Sequence, residues 1–315
     1  MGKRMRIDIH NHFLHREHMA EEAARLSMAH GLSQEKLLGW TPELALETMD
    51  RNRIDLAIGS ISTPGVWYGD VAAARRLARR WNEESAKIVQ KWPQRFGMFA
   101  VIAPPDIDGA LGEIDYALGV LKAEGVALLS NYDNLYPGDP AFAPVLEELN
   151  RRRAVVFIHP TVSVSSRVLP GILPQVIEFP FDTTRAIVSL IVNGCIAKYP
   201  DIRFIFSHAG GATPMLAARI DRILQRRPDR QEKFPQGARA AMQSLYFDVA
   251  SSSSPGAIAA LRELMPVSQI LYGSDAPFVT PDDELAELDH AAFTAEERSS
   301  LEDANPKKLL PRFAN

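Results

Sequence analysis

The sequence of 315 residues predicts a closed α/β barrel, the (β/α)8 or TIM barrel fold. Three observations predict it. Short apolar runs of strand length recur eight times. A segment with helical spacing lies between each run and the next, an order that implies parallel pairing through right-handed crossovers. No composition break and no tandem motif divides the chain, so one domain over residues 1–315 is expected, with an N-terminal rim insertion and a C-terminal helical tail.

The first strand is Ile7-Asp8-Ile9-His10-Asn11-His12, in which apolar and polar residues alternate. His10 and His12 are two apart and project to one face. Such a pair is either two core histidines with hydrogen-bonded partners or half of a metal site. Residues 15–30 are polar and read as a helical excursion of the rim, with His15, His18 and His30 solvated. Thr41 and Pro42 open a helix that runs to about Asn52. Leu56–Ser60 is the second strand. The long helix over 70–91 buries Leu77, Trp81 and Ile88 and leaves the pairs Arg75-Arg76 and Arg79-Arg80 to solvent.

The third strand covers 96–103 and ends at Pro104-Pro105, and a helix follows over 109–123. The fourth strand, Gly125–Ser130, leads through a loop to a helix over 140–153. Val155–His159 is the fifth strand. Residues 160–181, rich in Pro and Ser, read as a loop of the length that usually serves a function. Asp182-Thr183-Thr184 is expected to cap a helix reaching about Tyr199. The sixth strand is Arg203–His208, followed by a helix that contains Arg219. Leu245–Val249 is the seventh strand, a helix starts at Pro255, and Gln269–Asp275 is the eighth. The tail over 281–313 is helical, with His290 exposed.

The bulk numbers narrow the function classes. A chain 46% hydrophobic and 23% charged has material for a large core. Its net charge of −4 favours neither nucleic acid nor an anionic membrane as partner. The single cysteine, Cys195, permits no intrachain disulfide. No apolar run has the length of a signal peptide or membrane span, so a cytoplasmic location is expected.

Chemistry collects where such barrels keep their active sites, at the C-terminal ends of the strands. His10 and His12 lie on the first strand, His159 ends the fifth, His208 the sixth and Asp275 the eighth. Imidazole nitrogen and carboxylate oxygen suit a divalent ion such as zinc, manganese or iron.

The segments Ile7–His12, Phe157-Ile158-His159-Pro160, Ser207-His208-Ala209-Gly210-Gly211 and Tyr272-Gly273-Ser274-Asp275-Ala276-Pro277-Phe278 resemble, in order, the amidohydrolase superfamily. More narrowly they resemble its non-oxidative decarboxylases, the branch of aminocarboxymuconate semialdehyde, γ-resorcylate and 6-methylsalicylate decarboxylases. The stretches Asp139–Pro144 and Glu178–Arg185 look most like the 6-methylsalicylate group.

The resemblance implies one metal ion, zinc first and manganese second, on His10, His12, His159 and Asp275. It implies that His208 is the acid/base beside the metal. It also implies a homodimer in which Arg219, eleven residues after that histidine, reaches the neighbouring subunit's substrate carboxylate. A surface salt bridge is the other reading of Arg219. The fourth strand contains no lysine, and Lys122 precedes it, so a binuclear hydrolase with a carboxylated lysine is disfavoured.

The expected reaction is loss of carbon dioxide from a small aromatic acid of the ortho-hydroxybenzoate kind, or from an unsaturated acid. The ring carbon would be protonated by His208 or Asp275. Arg219 and Arg185 are candidates for the carboxylate, and Phe13, Trp67, Phe179 and Phe278 for the ring. Specificity is expected in the loops at 13–40, 60–70 and 160–181. The rival expectations are a mononuclear lactone or amide hydrolase, with His208 activating water, and a hydratase. A barrel that lost its chemistry and binds a partner is a further alternative.

Overall fold

The computed structural model describes residues 4–16, 33–166 and 168–314. Eight parallel strands run in sequence order around one sheet: β1 Ile7–His12, β2 Leu56–Ser60, β3 Phe96–Val101, β4 Gly125–Leu129, β5 Val155–His159, β6 Arg203–Phe206, β7 Tyr246–Asp248 and β8 Ile270–Leu271. The last strand returns against the first. Ile9 N–H donates to Tyr272 O at 3.0 Å, Asp275 N–H to His10 O at 2.8 Å and His12 N–H to Ala276 O at 2.8 Å. The barrel of the expected fold class is therefore formed. Its outer layer consists of α1 Pro42–Arg51, α2 Val71–Lys91, α3 Ile107–Gly119, α4 Ala143–Arg151, α5 Pro174–Val192, α6 Thr213–Leu224, α7 Pro255–Leu264 and α8 Pro281–His290. Among the described residues no helix is long and apolar enough to cross a membrane.

Two apolar layers follow from the strand period of two. Ile9, Ile58, Phe99, Phe157, Ile205 and Leu271 fill the barrel. Val126, Val156, Phe204 and Phe247 face the helices. Leu309, Leu310 and Phe313 of the tail join the inner cluster and close the floor. On β1 the register against β2 shifts by one residue between Asp8 and Asn11. One extra residue inverts the alternation. Ile9 and His10 thus both serve the interior, where the His10 ring lies 5.0 Å from that of Phe157.

Thr41 caps α1 through Leu44 N–H, as its sequence signal predicts, and Asp70 caps α2 through Ala73 N–H. Four expectations change. Helix α5 starts at Pro174, not Asp182, so the loop ends at residue 173. Proline at the first helical position forfeits no intrahelical bond, and Asp182 is buried mid-helix with partners of its own. That helix also stops at Val192, and a separate turn, Cys195–Lys198, leads on to Tyr199. Arg75 and Arg79 are not simply solvated: they pair with Asp106 (2.5 Å) and Glu113 (3.0 Å) on the α3 side. His15 is half-buried, stacked 5.5 Å from Trp81 with its Nε2 2.9 Å from Ser85 Oγ, because α2 passes over it. His18 and His30 lie outside the described residues.

Candidate metal centre

The strand-end residues converge. The ligand atoms of His10, His159, His208 and Asp275 lie within 4.8 Å of one another. His12 Nε2 is 3.1 Å from His10 Nε2 and 3.1 Å from Asp275 Oδ1. His10 Nε2 is 3.3 Å from the same oxygen, and His208 Nε2 is 3.4 Å from Asp275 Oδ2. The backbone that presents them is unusual. His208, Ala209 and Asp275 have φ of 56°, 54° and 61°, a region non-glycine residues rarely occupy and one that clusters at functional sites. β6 and β8 accordingly end before these residues, not at them as the sequence predicts.

The donor set fits a divalent cation. His159 Nδ1 lies 2.8 Å from Pro160 O. A carbonyl only accepts, so Nδ1 carries the proton and Nε2 is left as a lone-pair donor. His10 Nδ1 faces Asp248 Oδ2 at 3.1 Å with the same consequence. Burial lowers His12, and it lowers His159 strongly with help from the neighbouring imidazoles, so both are neutral. Burial also works against a charge on His10, but the Asp248 and Asp275 carboxylates override it and push the imidazole up to about 10. Burial works against the Asp275 charge as well, yet His10 and the other imidazoles hold that carboxyl well below its usual range. A proton on His10 thus supplies the positive charge that the two carboxylates demand, and metal binding would release it.

A cavity of about 170 Å³ opens beside the cluster. His159, His208 and Asp275 line it together with Phe179, Phe278 and Gln175. The Phe179 ring is 6.2 Å from that of His159, and the Phe278 ring 5.1 Å from that of His12. The other two aromatic candidates are elsewhere. Phe13 packs over Gly59, where a β-carbon would come within 2.3 Å of its ring, and it belongs to the layer under the helices. Trp67 donates from Nε1 to Asp133 at 2.7 Å. Neither lines this cavity.

The two arginines also lie outside it within one chain. Arg185 is half-exposed, 3.8 Å from Asp182. Arg219 is exposed on α6, in line with exposed Met215 and Ile223.

Asp182 and Asp248 are both buried, and the sequence did not mark either as a site residue. Asp182 accepts hydrogen bonds from Ser130 Oγ, Asn131 Nδ2 (2.7 Å) and Tyr136 Oη (2.7 Å). It anchors α5, and with it Phe179, to the end of β4. The sequence disguises it as a helix cap. Asp248 ends β7 as His159 ends β5, so the strand-end rule could have found it.

Fold and centre define a barrel enzyme class that gathers histidines and an aspartate at the strand ends. Residues 7–312 match the amidohydrolase family, and the chain belongs to it. It is 35% identical to decarboxylase macB of Penicillium terrestre over 87% of this chain and 84% of that protein. It is likewise 35% identical to 6-methylsalicylic acid decarboxylase acuB of Aspergillus aculeatus, over 98% and 97%. Among solved structures, 5-carboxyvanillate decarboxylase of Novosphingobium aromaticivorans, complexed with manganese and 4-hydroxy-3-methoxy-5-nitrobenzoic acid, aligns with a TM-score of 0.87. That alignment has 24% identity and covers 98% of this chain and 97% of that one.

Proposed function

We propose that the chain is a metal-dependent, non-oxidative decarboxylase that releases carbon dioxide from a small hydroxylated aromatic acid. The observation that carries this reading is the juxtaposition of a histidine–aspartate centre with a cavity lined by Phe179 and Phe278. Aryl acids are the named substrates of several of its relatives. 6-Methylsalicylic acid, the substrate in the name of the Aspergillus aculeatus enzyme, is of the size of one ring.

His10, His12, His159 and Asp275 would hold one divalent ion, zinc or manganese. Bound there, it would supply Lewis-acid polarisation of the substrate's oxygens. The chain's own residues do the rest. Phe179 and Phe278 confine the ring and exclude water. His208, whose Nε2 reaches Asp275 at 3.4 Å and lines the cavity, delivers a proton to the ring carbon that bears the carboxylate. The carbon–carbon bond then breaks, its electron pair restores the aromatic ring, and carbon dioxide leaves. Asp275 is the weaker candidate for that proton because neighbouring imidazoles hold it ionised.

Arg219 is proposed to reach a second copy's substrate in a homodimer. Its exposure is consistent with that, as are Met215 (77% exposed) and Ile223 (47%) on the same face of α6, which a partner would cover.

The test is carbon dioxide release from a panel of ortho-hydroxybenzoates, 6-methylsalicylate included, by protein loaded with zinc or manganese. Gas evolution with formation of the matching phenol supports the reading. An inert panel combined with opening of a lactone or amide overturns it.

A further inference from the structure

We propose that Asp248 is a positioning residue whose single carboxylate sets both the face that His10 offers to a metal ion and the place of His208. This rests on the metal reading of the centre, not on the reaction. Asp248 and His10 are both wholly buried, and Asp248 Oδ2 lies 3.1 Å from His10 Nδ1. With Nδ1 donating to that oxygen, Nε2, which faces His12 and Asp275, is the nitrogen left to bind a metal ion once its own proton is released. The other oxygen, Oδ1, accepts from the backbone N–H of His208 at 3.1 Å and of Ala250 at 3.0 Å. His208 and Ala209 are consecutive left-handed residues. Such a turn persists only where its surroundings over-determine it, and Asp248 is one of the restraints.

The carboxylate has little freedom to leave. Gly273 follows β8 between the two side chains, and a β-carbon there would sit 2.7 Å from His10 Cβ and 3.2 Å from Asp248 Cβ and Cγ. Closure of the barrel thus clamps Asp248 against β1 on one side and the β6 end on the other. One side chain links the ligand from the first strand to the acid/base beyond the sixth.

Asp248→Asn separates the two contacts with almost no change of shape. The amide has one acceptor oxygen, which stays with the N–H groups of His208 and Ala250. Its NH2 then faces His10 Nδ1 and can only donate. His10 must accept there and carry its proton on Nε2, the atom turned to the centre. The expected result is a loss of zinc and manganese affinity of about ten- to a hundredfold, read by chelator competition on the purified protein at neutral pH. The melting transition should stay cooperative, and carbon dioxide release should recover at saturating metal because His208 keeps its acceptor. Asp248→Ala removes both contacts, so metal excess should not rescue it.

A folded Asp248→Asn protein with wild-type metal affinity overturns the proposal. Wild-type protein that binds neither metal overturns the metal reading instead. Should the variant fail to fold, imidazole ¹⁵N shifts of the zinc-loaded wild type decide, with the His10 signal assigned by its loss in His10→Asn. Zinc on Nε2 with a proton on Nδ1 supports the proposal, and zinc on Nδ1 sinks it.

Discussion

His12 and His208 differ little in chemistry but not in surroundings, and the roles proposed for them rest on that difference. His12 is wholly buried beside His10, whereas His208 borders the cavity. His208→Ala is therefore expected to lower turnover about 10²–10⁴-fold while each chain retains its metal. His159→Ala should lose metal and activity together. Metal analysis of both variants beside a carbon dioxide assay separates the roles, and loss of metal from His208→Ala would make His208 a ligand. The aromatic candidates carry the same lesson. Phe13 and Phe278 are both phenylalanines next to motif residues, but one fills the space left by Gly59 and the other bounds the cavity. Composition and spacing do not distinguish these fates, because each depends on a neighbour distant in sequence.

Helix α5 shows how an element can be misread at its start and still be placed correctly. Pro180 inside it resembles a boundary, yet its carbonyl accepts from Thr184 Oγ1 at 2.9 Å and the helix continues. Asp182 then faces inward instead of capping. Asp182→Ala would strand the hydroxyls of Ser130 and Tyr136 and the amide of Asn131. It is expected to cost about 2–4 kcal/mol in urea unfolding and to weaken substrate affinity through Phe179. A second element, α8, carries a pH dependence. Glu284 is buried there, and its Oε2 accepts from Ser251 N–H at 2.9 Å. Burial raises its carboxyl from 4.5 to about 8. Between those values the native state holds a proton that the unfolded chain has released. This contribution to stability is therefore full below pH 4.5 and is lost as pH rises through about 8, with a slope of at most about 1.4 kcal/mol per pH unit. Glu284→Gln should melt above the wild type at pH 9 and show no such gain at pH 4.

The whole barrel depends on closure at both ends. At the floor, Leu310 is wholly buried among the inner residues of the strands. Leu310→Ala is expected to cost about 2–5 kcal/mol in denaturant unfolding, although it lies at the opposite end from the centre. At the rim, the assembly reading assigns Arg219 a role that one chain alone does not provide. Arg219→Ala should raise KM with little change in metal content. Met215→Glu should shift the molecule toward monomer in sedimentation and carry the same rise in KM. A monomeric wild type with full activity would contradict that assignment.

The sequence by itself determined the eight-fold alternation, the parallel barrel and the cluster of histidines and aspartate at its strand ends. Strand and helix periods and the side-chain donors of β1 and β5 are local, and an order of eight such units leaves one economical closure. Tertiary structure alone decided the change of face after the register shift in β1, the inward turn of Asp182, the choice of Phe179 and Phe278 over Phe13 and Trp67, and the double contact of Asp248. Each requires strands or helices far apart in the chain to meet at ångström distances, and a one-dimensional pattern contains no term for that meeting.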